Sequence, residues 1–330
     1  MNAPQGFIGR SVERREDARF LTGRGQYTDD ITLPGQAYAY FVRSPYAHAR
    51  IRTLSTIAAA AAPGVLGIYT GEHFKAVGGL PCGWLIHSLD GSPMKEPKHP
   101  ILADGKVRYV GDRVALVVAE TLQQAKDAAL LVEVDYDELP PVVDPARAVG
   151  APAAVHDEAA DNRVYHWGIG DKDGTDAAFR DAAHVTTLSF RNNRLIPNAM
   201  EPRAANATYD PNADSYTLYV SNQNPHVERL LMCAFVLGIP EHKMRVVAPD
   251  VGGGFGSKIF LYGEETALVY ATRQLRRPVK WTCERSESFL SDAHGRDHVT
   301  TARLALDKDG HFLALRGPRE GRREGLGVGL

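Results

Sequence analysis

Four glycines in five positions, within the run Val251-Gly-Gly-Gly-Phe-Gly-Ser-Lys258, constrain this chain more than any other stretch. Without side chains the backbone N–H groups of such a loop can approach a ligand closely. A strand-like run at 244–248 precedes it and a helix-like run at 264–275 follows. Such a context suits an anion site, because loop N–H groups and a helix dipole would then point at one place. Neither common phosphate template fits. The Walker loop needs Gly-Lys-Ser/Thr, and here Ser257 separates Gly256 from Lys258. The dinucleotide pattern meets Ser257 or Ile259 where its third small residue belongs. A ligand loop and a buried turn without ligand both remain open on this motif alone.

At 330 residues the chain is long enough for two or three domains, and 44% hydrophobic with 24% charged residues is ordinary for a globular protein. A net charge of -2 gives no reason to expect nucleic acid or an anionic membrane as partner. No apolar run approaches the ~20 residues of a membrane span, and the charged first 20 residues contain no signal-peptide core. Cys82, Cys233 and Cys283 stand far apart, too few for a zinc or iron–sulfur site of their own. A cytoplasmic setting is the simplest expectation.

The pattern predicts strands at 37–43, 49–55 and 65–70 and a short helix at 56–62. A continuous apolar run at 114–119, a helical period at 122–131 and an alternating run at 132–136 read as a βαβ-like unit. Residues 146–161, rich in Ala, Pro and Asp, read as a linker. Beyond them the pattern predicts a helix at 176–183 and strands at 184–191, 203–209, 216–220, 278–282 and 298–306, the last entering a hairpin through Asp307–Gly310. In the helix after Pro225, Val227, Leu230, Leu231, Ala234 and Phe235 form one apolar face, with Asn224 as N-cap and Gly238 at the end. Residues 317–330 break character, with five glycines and three arginines and no core-forming pattern.

Four stretches together resemble the large, molybdenum-cofactor-binding subunit of the xanthine dehydrogenase, aldehyde oxidase and carbon monoxide dehydrogenase family. They are REDARFLTGRGQYTDD at 15–30 with RSPYAHA at 43–49, YVGDRVALVVA at 109–119 with VDYDELPP at 134–141, SNQNPH at 221–226, and the glycine-rich loop. The resemblance implies a mixed α+β chain. Its parts would be an N-terminal segment (1–20), an α/β-hammerhead domain (21–145), the linker, an incomplete first molybdopterin-binding domain (162–316) of mixed sheet and helices, and an aberrant tail (317–330). It implies molybdenum–molybdopterin, in the cytosine dinucleotide form, with Gln223, Gly254, Phe255 and Gly256 as cofactor-binding residues. No protein side chain would ligate the metal directly; Gln223 and Phe255 would lie near it.

The chemistry is that of a molybdenum hydroxylase, in which a metal-bound hydroxide attacks an aldehyde or heteroaromatic carbon and hydride passes to a sulfido ligand; some members oxidise carbon monoxide. Iron–sulfur clusters and FAD would sit on separate partner subunits. The general-base glutamate of relatives would lie beyond the end of this chain, so the chain by itself is expected to be inactive. Ile259 stands where purine-oxidising relatives carry a glutamate, which argues against purines. A non-catalytic binding or assembly remnant of the family and a nucleotide-binding enzyme are the alternatives.

Some residues have a plainer reading beside a functional one. Glu201 either faces the substrate channel or, more plainly, pairs with Arg203 or another base; Lys258 is a candidate to neutralise cofactor charge; His226 either donates to the cofactor or is a capping or solvated side chain. His294 and His298 have helical metal-ligand spacing but no third ligand, and Cys82 reads as structural.

Overall fold

The computed structural model describes residues 6–82, 85–317 and 319–321. Chain order gives α1 (Asp17–Leu21), β1 (Ala37–Arg43), β2 (Ala49–Ser55), α2 (Ile57–Ala60), β3 (Val65–Thr70), β4 (Lys106–Val107), β5 (Arg113–Ala119), α3 (Leu122–Ala129) and β6 (Glu133–Glu138). There follow α4 (Lys172–Asp181), β7 (His184–Asn192), β8 (Ala204–Asp210), β9 (Ser215–Val220), α5 (Pro225–Leu230), β10 (Met244–Val247), α6 (Gly263–Leu275), β11 (Val279–Thr282), α7 (Arg285–Ser291), β12 (His298–Leu306), β13 (Phe312–Arg316) and β14 (Arg319–Gly321).

The largest sheet has seven strands in the order β10-β9-β8-β11-β1-β5-β3, so residues on both sides of the 146–161 segment share it. The junction is the parallel pairing of Ala37 and Tyr38 with Val279 and Lys280. β5 is buried along its whole length, as its continuous apolar run requires. Val117 points to a cluster with Ala128 and Ala129 of α3, whereas Leu116 and Val118 join the main core with Phe41, Leu218, Met232, Leu268 and Trp281. Phe41 meets Trp281 edge to face at 5.5 Å. β4, β2 and β6 form a small separate sheet, and β7 pairs with β12 in a third that includes β13 and β14.

Several expectations change. β5, α3 and β6 are not a βαβ unit, because β6 pairs with β2 in another sheet. The parallel crossover is instead β9–α5–β10, whose strands pair from Met244 with Tyr216 to Val247 with Tyr219. The segment after Pro225 is six residues of α-helix continued by a wider π-helical stretch, Leu231–Leu237. The buried side differs from the expected one in both parts. Glu228, Met232, Cys233 and Val236 face inward, while Val227, Leu230 and Phe235 of the expected apolar face are exposed. Gly238 does close it in the left-handed conformation, but the Asn224 side chain makes no capping bond. α4 starts earlier than expected because Asp171 accepts from Gly174 N–H at 2.9 Å. α1 and α7 have no counterpart in the sequence pattern. In the Gly/Arg-rich tail, the backbone of β14 pairs with the start of β12; residues 318 and 322–330 lie outside the described residues.

Candidate functional site

β9 and β10 run parallel and both deliver their chain to the same end of the sheet, where loops leave the carboxyl ends of strands. β9 runs into Ser221–Asn224 and β10 into the glycine-rich loop. The two segments are stitched together. Gln223 N–H donates to the Lys258 carbonyl at 2.8 Å, and the Gln223 side-chain carbonyl accepts Gly256 N–H at 3.0 Å. This second bond fixes the amide orientation, so the Gln223 NH₂ is the half that, among the described residues, has no acceptor. Gln223 is exposed and Phe255 is 73% exposed.

Gly253 (φ 98°) and Gly256 (φ 94°) are left-handed, and Phe255 between them also has positive φ, 50°. For a non-glycine residue that conformation is uncommon. Among the described residues, the N–H groups of Gly253, Gly254 and Phe255 have no hydrogen-bond acceptor. A Cβ on Gly254 would lie 2.3 Å from the Gln223 amide carbon. Glycine there is what allows Gln223 to lie against the loop.

Beneath the loop Glu201 collects donors. Its Oε2 accepts Ser221 Oγ–H at 2.6 Å, Gly252 N–H at 2.8 Å and Lys258 Nζ at 2.9 Å. Lys258 Nζ also donates to the Glu201 carbonyl at 2.8 Å. Burial pushes the Lys258 ammonium below its ordinary value, an effect the contact with Glu201 opposes. The base that pairs with Glu201 is therefore Lys258, not Arg203, and Lys258 is turned inward beneath the loop.

Arg203 belongs to a buried cluster that the sequence did not reveal. Glu264 accepts from Arg43 at 2.9 Å, Arg113 at 3.2 Å and Arg203 at 3.3 Å. Arg43 also donates to Glu287 at 2.7 Å and Arg203 to Asp292 at 2.6 Å. Three guanidinium groups thus meet three carboxylates, and the formal charge balances. Burial alone would raise the Glu264 carboxyl; Arg113, Arg203 and Arg43 outweigh it and hold it well below the usual range. The Arg203 guanidinium stacks over Tyr262 at 3.7 Å, and the Tyr262 hydroxyl donates to the Ser257 carbonyl at 2.6 Å. Tyr262 thereby links the cluster to the loop. No sequence pattern could find it, since its members are spread from residue 43 to 292.

The expected helix dipole is not available to the loop. α6 starts at Gly263, its preceding N–H on Tyr262 donates to Glu265 at 2.9 Å, and Gly263 packs against the Ile101 carbonyl and the Arg113 guanidinium. His226 is exposed. His294 faces Arg194 at 3.5 Å, and it and His298 are not part of a metal-ligand group among the described residues. Cys82 N–H donates to Glu96 at 2.9 Å. A crevice of about 460 Å³, lined by residues including Ser88, Lys95, Arg163 and His166, contains none of the loop residues.

At the carboxyl end of the parallel β9–β10 pair a glutamine turn thus lies against a glycine-rich loop. Residues 155–318 match the family model of the molybdopterin cofactor-binding domain, and residues 22–140 match that of the aldehyde oxidase and xanthine dehydrogenase a/b hammerhead domain. The carbon monoxide dehydrogenase large chain of Afipia carboxidovorans is 38% identical over 322 residues, covering 94% of this chain and 39% of that one. The nicotine 6-hydroxylase large subunit of Paenarthrobacter nicotinovorans is 36% identical, covering 94% and 37%. Among solved structures, quinoline 2-oxidoreductase from Pseudomonas putida 86 superposes with a TM-score of 0.86 at 37% identity, over 96% of this chain and 39% of that one. The chain belongs to the family of molybdenum-cofactor-binding large subunits that includes the xanthine and carbon monoxide dehydrogenases. It spans 39% of the length of the first of these relatives. No helix among the described residues is long and apolar enough to cross a membrane.

Proposed function

We propose that the Gln223 turn and the glycine-rich loop form one wall of a molybdenum–molybdopterin site in an oxidoreductase of the hydroxylase type. One observation carries this: among the described residues, three neighbouring N–H groups, of Gly253, Gly254 and Phe255, lack acceptors, beside a Gln223 amide whose NH₂ has no acceptor either. Such an array suits oxo and other anionic oxygens, which accept hydrogen bonds and bring negative charge. Gly254 leaves room for Gln223, Gly256 orients the Gln223 amide, and the exposed Phe255 ring would shield a bound group from water. The group, when bound, supplies the two-electron redox centre; these residues bind and orient it.

Glu201 anchors the loop in this reading: Oε2 receives three donors from the protein, and Oε1 is buried. The substrate is an aldehyde, an N-heteroaromatic or carbon monoxide; Ile259 removes the carboxylate that a purine would need at that place. The cofactor is the cytosine dinucleotide form, electrons leave through iron–sulfur and FAD partner chains, and the assembly is cytoplasmic. Turnover belongs to that assembly.

The test is a chimera in which residues 1–316 replace the matching part of the Afipia large chain. Purified from a host that makes the cofactor, it should carry molybdenum and pterin near one per polypeptide. A Gln223→Ala change should lower both. A folded chimera with neither molybdenum nor pterin refutes the proposal.

A further inference from the structure

Glu228, in the first turn of α5, is 1% exposed, and among the described residues neither of its carboxyl oxygens meets a hydrogen-bond donor in good geometry. The side chains it faces are the Glu265 carboxyl on α6 and the Asn222 amide, whose NH₂ is likewise buried without a partner. Glu265 is itself 1% exposed and accepts Tyr262 N–H at 2.9 Å. Around Glu265 the charged groups are Arg203 and Glu264. Arg203 is already shared with Glu264 and Asp292, so among the described residues the charged neighbours of Glu265 leave no second cation for an ionised carboxylate pair. Two buried carboxylates side by side cannot both be ionised at acceptable cost; a proton between them turns repulsion into a hydrogen bond.

We infer that Glu228 and Glu265 share one proton, and that this protonated pair is the tie holding the Asn222–Gln223 turn against the start of α6. Glu228 is reached from Asn222, and Asn222 Oδ1 accepts the N–H of Asn224, so the side chain sits inside the turn that presents Gln223. On the other side, Glu265 holds Tyr262, whose hydroxyl supports the loop at Ser257. Loss of the proton loosens the turn and the loop together. As a positioning device for the cofactor wall, the pair rests on the reading in Proposed function; as a proton-sharing tie it stands without it.

Burial first, and the neighbouring carboxyl second, raise Glu228 well above the ordinary glutamate range. Burial raises Glu265 to about 7. The folded chain then holds a proton that the unfolded chain releases near pH 4.5, so the contribution of the pair is fully present in acid and falls as pH rises toward and past neutrality.

Glu228→Gln tests this, since an amide keeps the shape, donates to Glu265 permanently and has no proton to lose. Hydrogen exchange at the Gln223 N–H, corrected for intrinsic rate, is the readout in the 330-residue chain. Between about pH 6 and pH 9 its protection should fall roughly tenfold or more in the wild type, and by less than about threefold in Glu228→Gln. Equal pH dependence in the two proteins overturns the inference. If Glu228→Gln fails to fold, carbon-detected titration of the wild-type glutamates decides. Two carboxyls ionising as an ordinary pair between about pH 4 and 5 overturns the inference; one proton retained to near neutral supports it. The chimera adds a separate arm. A pH-sensitive tie in a chimera that takes up no pterin sinks the cofactor reading and leaves the tie standing.

Discussion

Replacing Lys258 by methionine removes the cation beneath the glycine-rich loop while keeping most of its volume. Lys258 is 1% and Glu201 13% exposed as side chains, with Nζ and Oε2 2.9 Å apart. At an effective dielectric of about 20, two unit charges at that distance attract by roughly 6 kcal/mol, most of it offset by the desolvation of both ions. Breaking a buried pair costs about 3–5 kcal/mol because the surviving charge is left uncompensated. Glu201 retains Ser221 Oγ–H and Gly252 N–H as donors, which places the cost near about 3 kcal/mol. Urea unfolding measures that loss. In the double variant Glu201→Gln with Lys258→Met no charge is stranded, so the two changes should couple by about 2 kcal/mol. Each single variant should also raise exchange at Gly252 N–H. A Lys258→Met loss below about 1 kcal/mol with no coupling would mean that the pair is screened and does not pin the loop, and the reasoning would fail.

Glu264→Gln should be the most damaging conservative change, by about 3–5 kcal/mol in thermal or urea unfolding, since three buried guanidinium groups would keep only two carboxylates. Gly254→Ala has the opposite profile. Its φ is not left-handed and the crowded atoms belong to the movable end of Gln223, so stability should change by less than about 1 kcal/mol while pterin retention in the chimera drops. The reversed face of the segment after Pro225 is checked by Met232→Ala, expected to cost about 2–5 kcal/mol, beside Phe235→Ala, expected to cost less than about 1.5 because that ring is 53% exposed. Stability against pH has a definite sign. Glu264, held low by its arginines once burial is overcome, contributes above its unfolded value and loses that only in strong acid, whereas Glu228 and Glu265 contribute less as pH rises past neutral; the maximum should lie on the mildly acidic side, read from melting temperatures between about pH 5 and 9.

Local pattern alone determined much of this protein. The strands at 37–43, 49–55, 65–70 and 298–306 coincide with observed elements, because alternation and turn residues act over a few neighbours. The four motifs that carried the family resemblance also lie in the chain as short contiguous runs, and the family assignment followed from their order. Gln223, Gly254 and Gly256 could be singled out that way, and the fold brings them into contact. Tertiary structure decided the rest. Which strand is whose neighbour depends on pairings hundreds of residues apart, such as Ala37 with Val279, and nothing in either strand encodes its partner. In the segment after Pro225 the fold buries Glu228, Met232, Cys233 and Val236 and exposes Phe235, against the apolar period that the sequence displays. The Arg43, Arg113, Arg203 and Glu264 cluster is likewise invisible in one dimension. A buried charge is tolerable only when its partners are delivered from several elements at once, and that delivery exists only in the folded chain.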